Sequence, residues 1–160
     1  MIKQQLLDQI TDQLQQALDN ALLAASEAHN NATHAESAAE TQYDTLGLEN
    51  AYLAHGQSMR VESLQQALMH YQQWTVMDFQ PDDAIGLGAL VEVTGPQGQQ
   101  RLFLLGPLQG GLQLHWQGQP VTLITPQTPV GQQLMARYLG DEASLPNAEG
   151  SQLCEVTALS

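Results

Sequence analysis

Apolar residues in the first half of the chain recur at alternating steps of three and four, which is the spacing of a coiled-coil helix. In the first series they are Leu7, Ile10, Leu14, Ala17, Ala21, Ala24 and Ala28. In the second they are Val61, Leu64, Leu68 and Tyr71, with Leu48, Tyr52 and Met59 upstream. The pattern therefore predicts two long helices, and an antiparallel hairpin is the simplest way to pair them.

The segment between the two series predicts the tip of this hairpin near residues 42–49. Asp44 and Thr45 are suited to cap the second helix, and Gly47 permits a turn. A helix of roughly 38 residues, at about 1.5 Å per residue, spans about 55 Å. That length exceeds what a compact domain of this size needs, and it indicates an arm that reaches into a partner.

The second half of the chain has a different pattern. All 7 prolines, and all glycines except Gly47 and Gly56, follow residue 77, which predicts strands and turns. The predicted strands are Ala89–Thr94, Arg101–Leu105, Leu112–Trp116, Val121–Ile124 and Leu153–Leu159. One helix is predicted from the cap Thr128 to Gly140, with Leu134, Met135 and Tyr138 facing the sheet. We expect an α+β protein with a hairpin over residues 1–76 and a small domain over 77–160.

Charge and composition narrow the function classes. Four Lys/Arg against 17 Asp/Glu give a net charge of −13, which argues against nucleic-acid affinity and against anionic membrane surfaces. No apolar run approaches the ~20 residues of a membrane span, and no signal-peptide core follows the first residues, so we expect a cytoplasmic protein. Cys154 is the single cysteine; it excludes an internal disulfide and is predicted to be a small buried apolar residue.

Three stretches carry a resemblance to a known family. Residues 121–141, from Val-Thr-Leu-Ile-Thr-Pro to Leu-Gly-Asp, resemble the C-terminal motif of the bacterial GreA/GreB transcript-cleavage factors. The strand that begins at Gly88-Ala-Leu-Val is similar to the family's entry strand. Asp44 to Tyr52, Asp-Thr-Leu-Gly-Leu-Glu-Asn-Ala-Tyr, resembles the family's tip motif. The resemblance covers essentially the whole chain and identifies it as a divergent member.

The resemblance implies both a fold and a partner. It implies an FKBP-like C-terminal domain, an antiparallel sheet that wraps one helix, which docks at the rim of the secondary channel of RNA polymerase. The helical hairpin would enter that channel as a transcription elongation factor. Acidic tip residues would there help to hold a second Mg²⁺ and orient the water that cleaves backtracked RNA. Mg²⁺ is commonly held by one or two carboxylates plus phosphates and waters, so donated carboxylates can complete a shared site.

Residue by residue, the resemblance favours Asp44 and Glu49 as the tip pair. Four residues lie between them, where the family has two, and an ungapped alignment would instead place Glu40 at the first acidic position. Glu36 and Glu40 are therefore kept in reserve. Asp44 is equally suited to cap a helix, and Glu49 is favoured near a helix N-terminus by the macrodipole alone. No cofactor is expected to bind stably, and the catalytic centre would belong to the polymerase, so the chain itself is not expected to be an enzyme.

Two alternatives stay open at this point. The first is a non-cleaving inhibitor or modulator of the secondary channel, or a general interaction module. The second, more remote, is a prolyl isomerase, because the implied C-terminal fold is shared with those enzymes; Phe79, Phe103, Trp116 and Tyr138 would then have to line a pocket. A monomer is expected, and the alanine-rich seam leaves self-association open. Lys3 and Arg60 are the only Lys or Arg before residue 77, so RNA contact through the arm is expected to be weak.

Overall fold

The computed structural model describes the backbone of residues 2–38 and 45–160 and the side chains of residues 3–31 and 53–160. Two long helices come first, α1 (Ile2–Ala38) and α2 (Thr45–Gln73). The strands that follow are β1 (Leu90–Thr94), β2 (Gln100–Leu105), β3 (Gln113–Trp116) and β4 (Gln119–Ile124). A short helix, α3 (Pro129–Leu134), precedes β5 (Glu142–Asn147) and β6 (Gly150–Leu159). The predicted α+β class, a helical hairpin ahead of a sheet, is confirmed.

The chain divides into two compact units. The helical unit comprises Thr11–Trp74, and the sheet unit comprises Thr75–Ser160 together with Met1–Ile10. The first turns of α1 thus belong to the same unit as the sheet, although α1 itself is continuous from Ile2 to Ala38. No helix in the described ranges is long and apolar enough to cross a membrane.

The helical unit buries the predicted seam positions that carry large side chains near its two ends at residues 11–21 and 64–74. Leu14 and Ala21 of α1 and Leu64, Leu68 and Tyr71 of α2 are buried. Further toward the connection the α1 seam positions are alanines, and Ala24 and Ala28 are only half-buried. Since an alanine buries far less apolar area than a leucine, the free energy gained per turn falls along the helix.

Two predictions in this unit are wrong. Met59 was expected in the second seam, but its side chain is 60% exposed. Gly47 was expected to form a turn, but its backbone lies in α2, which begins at Thr45. Residues 45–49 of the predicted tip are the first residues of α2, and residues 42–44, Asp44 among them, lie outside the described residues.

The sheet unit contains a six-stranded sheet in the order β3-β4-β2-β1-β6-β5. The prediction of an antiparallel sheet is wrong in one respect, because β2 and β4 pair in parallel, with Leu102 opposite Val121 and Leu105 opposite Ile124. Strands β3 and β4 form a hairpin, whose two-residue turn at Gln117 and Gly118 has positive φ at both positions. Within the sheet β4 lies beside β2, and β3 lies at the edge.

One face of the sheet packs on α3 around a single apolar core. Strand residues such as Val91, Phe103 and Val156 contribute to this core, and Leu134 is its fully buried contribution from α3. Cys154 is also in this core and is 2% exposed, which confirms it as a buried apolar residue. Strand β5 was not predicted, because Pro146 lies within it and only Ala143 and Leu145 supply the alternating buried positions.

Helix α3 is shorter than predicted. Thr128 caps it and Pro129 is its first residue, as expected, but the helix ends at Leu134. Ala136 then adopts φ 63° and donates its N–H to the carbonyl of Ile85, while Ile85 donates to the carbonyl of Arg137. These hydrogen bonds to the segment around Ile85 take the place of the hydrogen bonds that would continue the helix. Consequently Tyr138, expected to face the sheet, is 50% exposed, and Gly140 does not end the helix.

Candidate functional site

The four candidate carboxylates fall at the junction of the two long helices. Glu36 lies two residues before the end of α1, and Glu49 is the fifth residue of α2. Glu40 and Asp44 lie outside the described residues, as do the side chains of Glu36 and Glu49. The helix bounds therefore place all four within residues 36–49, while their geometry toward a metal ion stays a prediction. Among the described residues, no three His, Cys, Asp or Glu side chains form a group that could hold a metal.

A second candidate surface lies in the sheet unit, at the ends of the parallel strands β2 and β4. The sequence from Leu102 to Ala136 contains no Asp, Glu, Lys or Arg, although the whole chain carries a net charge of −13. This stretch includes the loop 106–111, which follows β2, and the loop 125–131, which follows β4 and extends into the first turn of α3. We call these two loops the uncharged loops. Charged residues are depleted at the centres of protein interfaces, so the uncharged loops are a candidate docking surface.

The loop 125–131 is held rigidly by its own hydrogen bonds. The Thr125 carbonyl accepts from the Thr128 hydroxyl at 2.7 Å and from the Thr128 N–H at 3.1 Å. The same hydroxyl oxygen accepts from the Gly131 N–H at 3.1 Å. A Cβ at Gly131 would overlap the carbonyl oxygen of Thr125. Glycine at 131 is therefore a steric requirement of this loop, because any side chain would force the loop away from α3.

The loop 106–111 packs against that rigid loop. A Cβ at Gly110 would lie 3.0 Å from Cγ2 of Thr128, so the two loops are in close contact. Gly106 and Gly111 donate their N–H groups to the carbonyls of Ile124 and Leu123. Leu108, between them, leaves 40% of its side chain exposed. The uncharged loops thus present an apolar side chain on a fixed backbone, which is a suitable anchor for a protein partner.

The sheet unit does not assemble an aromatic pocket of the kind that a prolyl isomerase needs. Phe103 is 2% exposed, and the Arg101 guanidinium lies 4.9 Å from the centre of its ring. Arg101 also donates to the carbonyl of Pro146 at 3.3 Å, so its side chain covers Phe103. Trp116 lies two residues after Leu114 and therefore on the same face of the sheet, which is opposite to the face of Phe103, and Tyr138 is exposed. The aromatic residues proposed for an isomerase site therefore do not converge.

An open cleft of about 470 Å³ lies where β2 and β4 begin. It is lined mainly by the side chains of Gln100, Gln113, Gln119 and Thr122, beside Arg101. The Thr122 hydroxyl donates to Gln113 and the Gln100 amide donates to Glu92. These side chains are bonded to one another or to neighbouring strands, so the cleft contains no reactive or metal-binding group.

The first turns of α1 are attached to the sheet unit by Lys3. This lysine is 5% exposed, and its Nζ donates to the carbonyl of Met77 at 2.7 Å and lies 4.9 Å from the centre of the Phe79 ring. Burial lowers the pKa of Lys3 below its ordinary value, and the nearby Asp78 carboxylate partly opposes this shift. Lys3 therefore serves as an internal attachment. Of the two Lys and Arg residues before residue 77, Lys3 is thus occupied within the sheet unit, and Arg60 is the other.

Gln9 makes a second attachment in the same unit. Its side-chain Nε2 donates to the carbonyl of His115 at 2.7 Å, and its Oε1 accepts from the N–H of His115 at 2.8 Å. Between Lys3 and Gln9, Leu6 is fully buried, as is Ile10 just beyond. Sequence reasoning missed both polar attachments, because an amide or ammonium in a mostly polar helix gives no signal of its own.

The comparisons with known proteins give structural likenesses only. No protein-family model and no curated protein matches the chain. Among solved structures, GreA factor homolog 1 (Gfh1) of Thermus thermophilus matches with 21% identity and a TM-score of 0.41, covering 94% of both chains. Thermus aquaticus Gfh1 matches with 22% identity, 92% of both chains and a TM-score of 0.41. The transcription elongation factor GreA/GreB from Nitrosomonas europaea matches with 16% identity and a TM-score of 0.40, over 61% of this chain and 79% of that one.

Proposed function

We propose that this protein binds RNA polymerase and regulates transcription elongation through the secondary channel. The observation that carries the proposal is the position of the four carboxylates. Helix α1 ends at Ala38 and α2 begins at Thr45, so Glu36, Glu40, Asp44 and Glu49 are all concentrated at the junction of two long helices. The motif resemblance at residues 88–93 and 121–141 supports the same partner.

The two units have separate roles in this proposal. The uncharged loops of the sheet unit dock on the outer surface of the polymerase, with Leu108 as an apolar anchor. The helical unit presents the junction carboxylates to the polymerase active site. Asp44 and Glu49, or Glu40 and Glu36 in their place, lend ligands to a Mg²⁺ that the polymerase and its RNA hold in part. The chain performs no chemistry without the polymerase.

The spacing of Asp44 and Glu49 favours a second form of the same function. The two carboxylates are separated by more residues than in the resembling motif, so they reach a shared Mg²⁺ less readily as a pair. In this form the protein occupies the channel and inhibits or modulates elongation without cleavage. Negative charge in the channel would then repel the anionic nucleotide substrates and draw metal ions away from the active site.

The first test is co-elution of the full chain with purified polymerase at micromolar concentrations. We expect a stable complex, and Leu108→Glu should reduce its affinity by about ten-fold or more, because a charge would be desolvated at an apolar contact. Leu153→Glu is the matched control, since Leu153 is 54% exposed in the same unit but outside the uncharged loops. Absence of binding by the unmodified chain would rule out the proposed function.

A cleavage assay on backtracked complexes then separates the two forms. If the junction carboxylates hold Mg²⁺, Asp44→Asn and Glu49→Gln should each reduce cleavage by about 10²-fold or more at unchanged affinity. Glu27→Gln is the control, because Glu27 is an exposed residue of α1 away from the junction. Slower elongation with no cleavage by the unmodified chain would favour the non-cleaving form.

A further inference from the structure

The outer edge of strand β3 is occupied by a side chain instead of a strand. β3 is an edge strand whose one strand neighbour is β4, and His115 lies opposite Pro120. In an antiparallel ladder, alternate residues direct both their N–H and C=O away from the partner strand. His115 is such a residue, and both of its groups are bonded to the amide of Gln9.

Only a full-length carboxamide can make this pair of bonds. The amide of glutamine offers one donor and one acceptor side by side, as a peptide group of a neighbouring strand would. A glutamate at position 9 would place an oxygen against the carbonyl of His115, a lysine would lack the acceptor, and an asparagine is one methylene shorter. The 2.7 and 2.8 Å distances therefore fix both the rotation of α1 and its position along the strand.

We propose that Gln9 is a positioning residue, which clamps the first turns of α1 to β3. Lys3 makes the second attachment two turns earlier, through the carbonyl of Met77. Helix α1 continues without a break to Ala38, so the clamped turns and the part of the helix that leads to the junction are one element. The consequence for the polymerase rests on the proposed function: loss of the Gln9 clamp loosens the start of the helix that leads to the junction carboxylates, while the uncharged loops stay unchanged.

The clamp is tested first in the free protein by hydrogen exchange of the His115 amide. Gln9→Glu and Gln9→Ala should each accelerate this exchange about ten-fold relative to the unmodified chain. Gln5→Glu is the matched control, because Gln5 is an exposed residue of the same helix and carries the same change of charge. The Gln9→Ala variant removes the clamp without adding charge, so agreement between the two Gln9 variants excludes a purely electrostatic effect. Exchange rates equal to those of the control would overturn the proposal.

The second readout uses the polymerase complex. Gln9→Ala should retain co-elution within about two-fold, since the uncharged loops are untouched, while its effect on elongation or cleavage falls about ten-fold. If the His115 amide is deprotected but the effect on transcription is unchanged, Gln9 is not a positioning residue. If the unmodified chain does not bind polymerase at all, the proposed function fails, and hydrogen exchange alone then decides whether the clamp exists.

Discussion

The helical unit and the sheet unit solve the problem of stability in different ways. The helical unit relies on repeated apolar spacing along two helices, and its seam changes from leucine at Leu14 to half-buried alanines at Ala24 and Ala28. The sheet unit relies on buried residues from strands distant in sequence and on close contacts such as that between Gly131 and Thr125. Replacement of a glycine by alanine should therefore lower the free energy of unfolding in the sheet unit and raise it in the helical unit.

Each unit contains one tryptophan, which allows the two to be followed separately. Trp74 belongs to the helical unit and packs edge-on against Tyr71 at 5.5 Å, whereas Trp116 is in β3 of the sheet unit. A Trp74→Phe background reports on the sheet unit, and a Trp116→Phe background reports on the helical unit. Unfolding of two units need not be a single transition, so separate reporters are needed.

The largest effect is expected from Gly131→Ala. The added Cβ would overlap the Thr125 carbonyl, so the loop and α3 must move apart, at a cost of about 3 kcal/mol or more. Denaturant unfolding followed through Trp116 measures this loss. An unchanged midpoint would show that the loop accommodates the added Cβ without cost. The proposed difference between the two units in their response to alanine would then be wrong.

Gly56→Ala should have a smaller effect of the opposite sign. Gly56 lies in the interior of α2, is exposed, and has nothing within 4 Å of where a Cβ would stand. Alanine lowers the conformational entropy of the unfolded chain without a clash, so the helical unit should gain about 0.5–1 kcal/mol. Unfolding followed through Trp74 tests this, and destabilisation would reveal a contact on that face of α2.

The smallest effect concerns the pH dependence contributed by Lys3. Burial lowers its pKa in the folded protein below the ordinary value of 10.5, so the unfolded chain binds more protons in the interval between the two values. The free energy of unfolding of the unmodified protein should consequently rise with pH through that interval, relative to Lys3→Met, which has no group to titrate. Parallel pH profiles for the two proteins would show that Lys3 is not held in a desolvating site.

Sequence patterns predicted the regular parts of both units for clear physical reasons. Heptad spacing specified the buried face at Leu64 and Leu68, and Thr128-Pro129 specified the start of α3. The end of α3 was not predictable, because it depends on hydrogen bonds between Ile85 and residues about 50 positions away. The parallel pairing of β2 with β4 was likewise set by long-range arrangement and not by the composition of either strand.

The candidate site was predictable to a different extent. The four carboxylates were found from the residues themselves, and their geometry stays a prediction, because Glu40 and Asp44 lie outside the described residues. The absence of charged residues from Leu102 to Ala136 can be read from the sequence. It indicates a docking surface only when the fold shows that the two loops are in contact. The roles of Lys3 and Gln9 depend on contacts with residues more than 70 positions away, so no local pattern could reveal them.

The structure also explains part of the unusual glutamine content, 24 residues of 160. On the helices, Gln4 donates to Asp8, Gln15 to Asp19 and Gln66 to Glu62, each four residues apart. A lysine at these positions would bond equally well but would cancel the charge of its partner. Glutamine therefore supports the helix and leaves the surface negative.

The sheet unit combines residues from the beginning and from the end of the described chain, and this affects how it can fold during synthesis. Residues up to Ile10 leave the ribosome well before β6, whose last residue is Leu159. At ~5–20 residues per second this interval is roughly 8–30 s, during which Leu6 and Ile10 have no completed sheet to cover. The intervening helices can pair in that time, so they would hold the early segment close by until the final strand arrives.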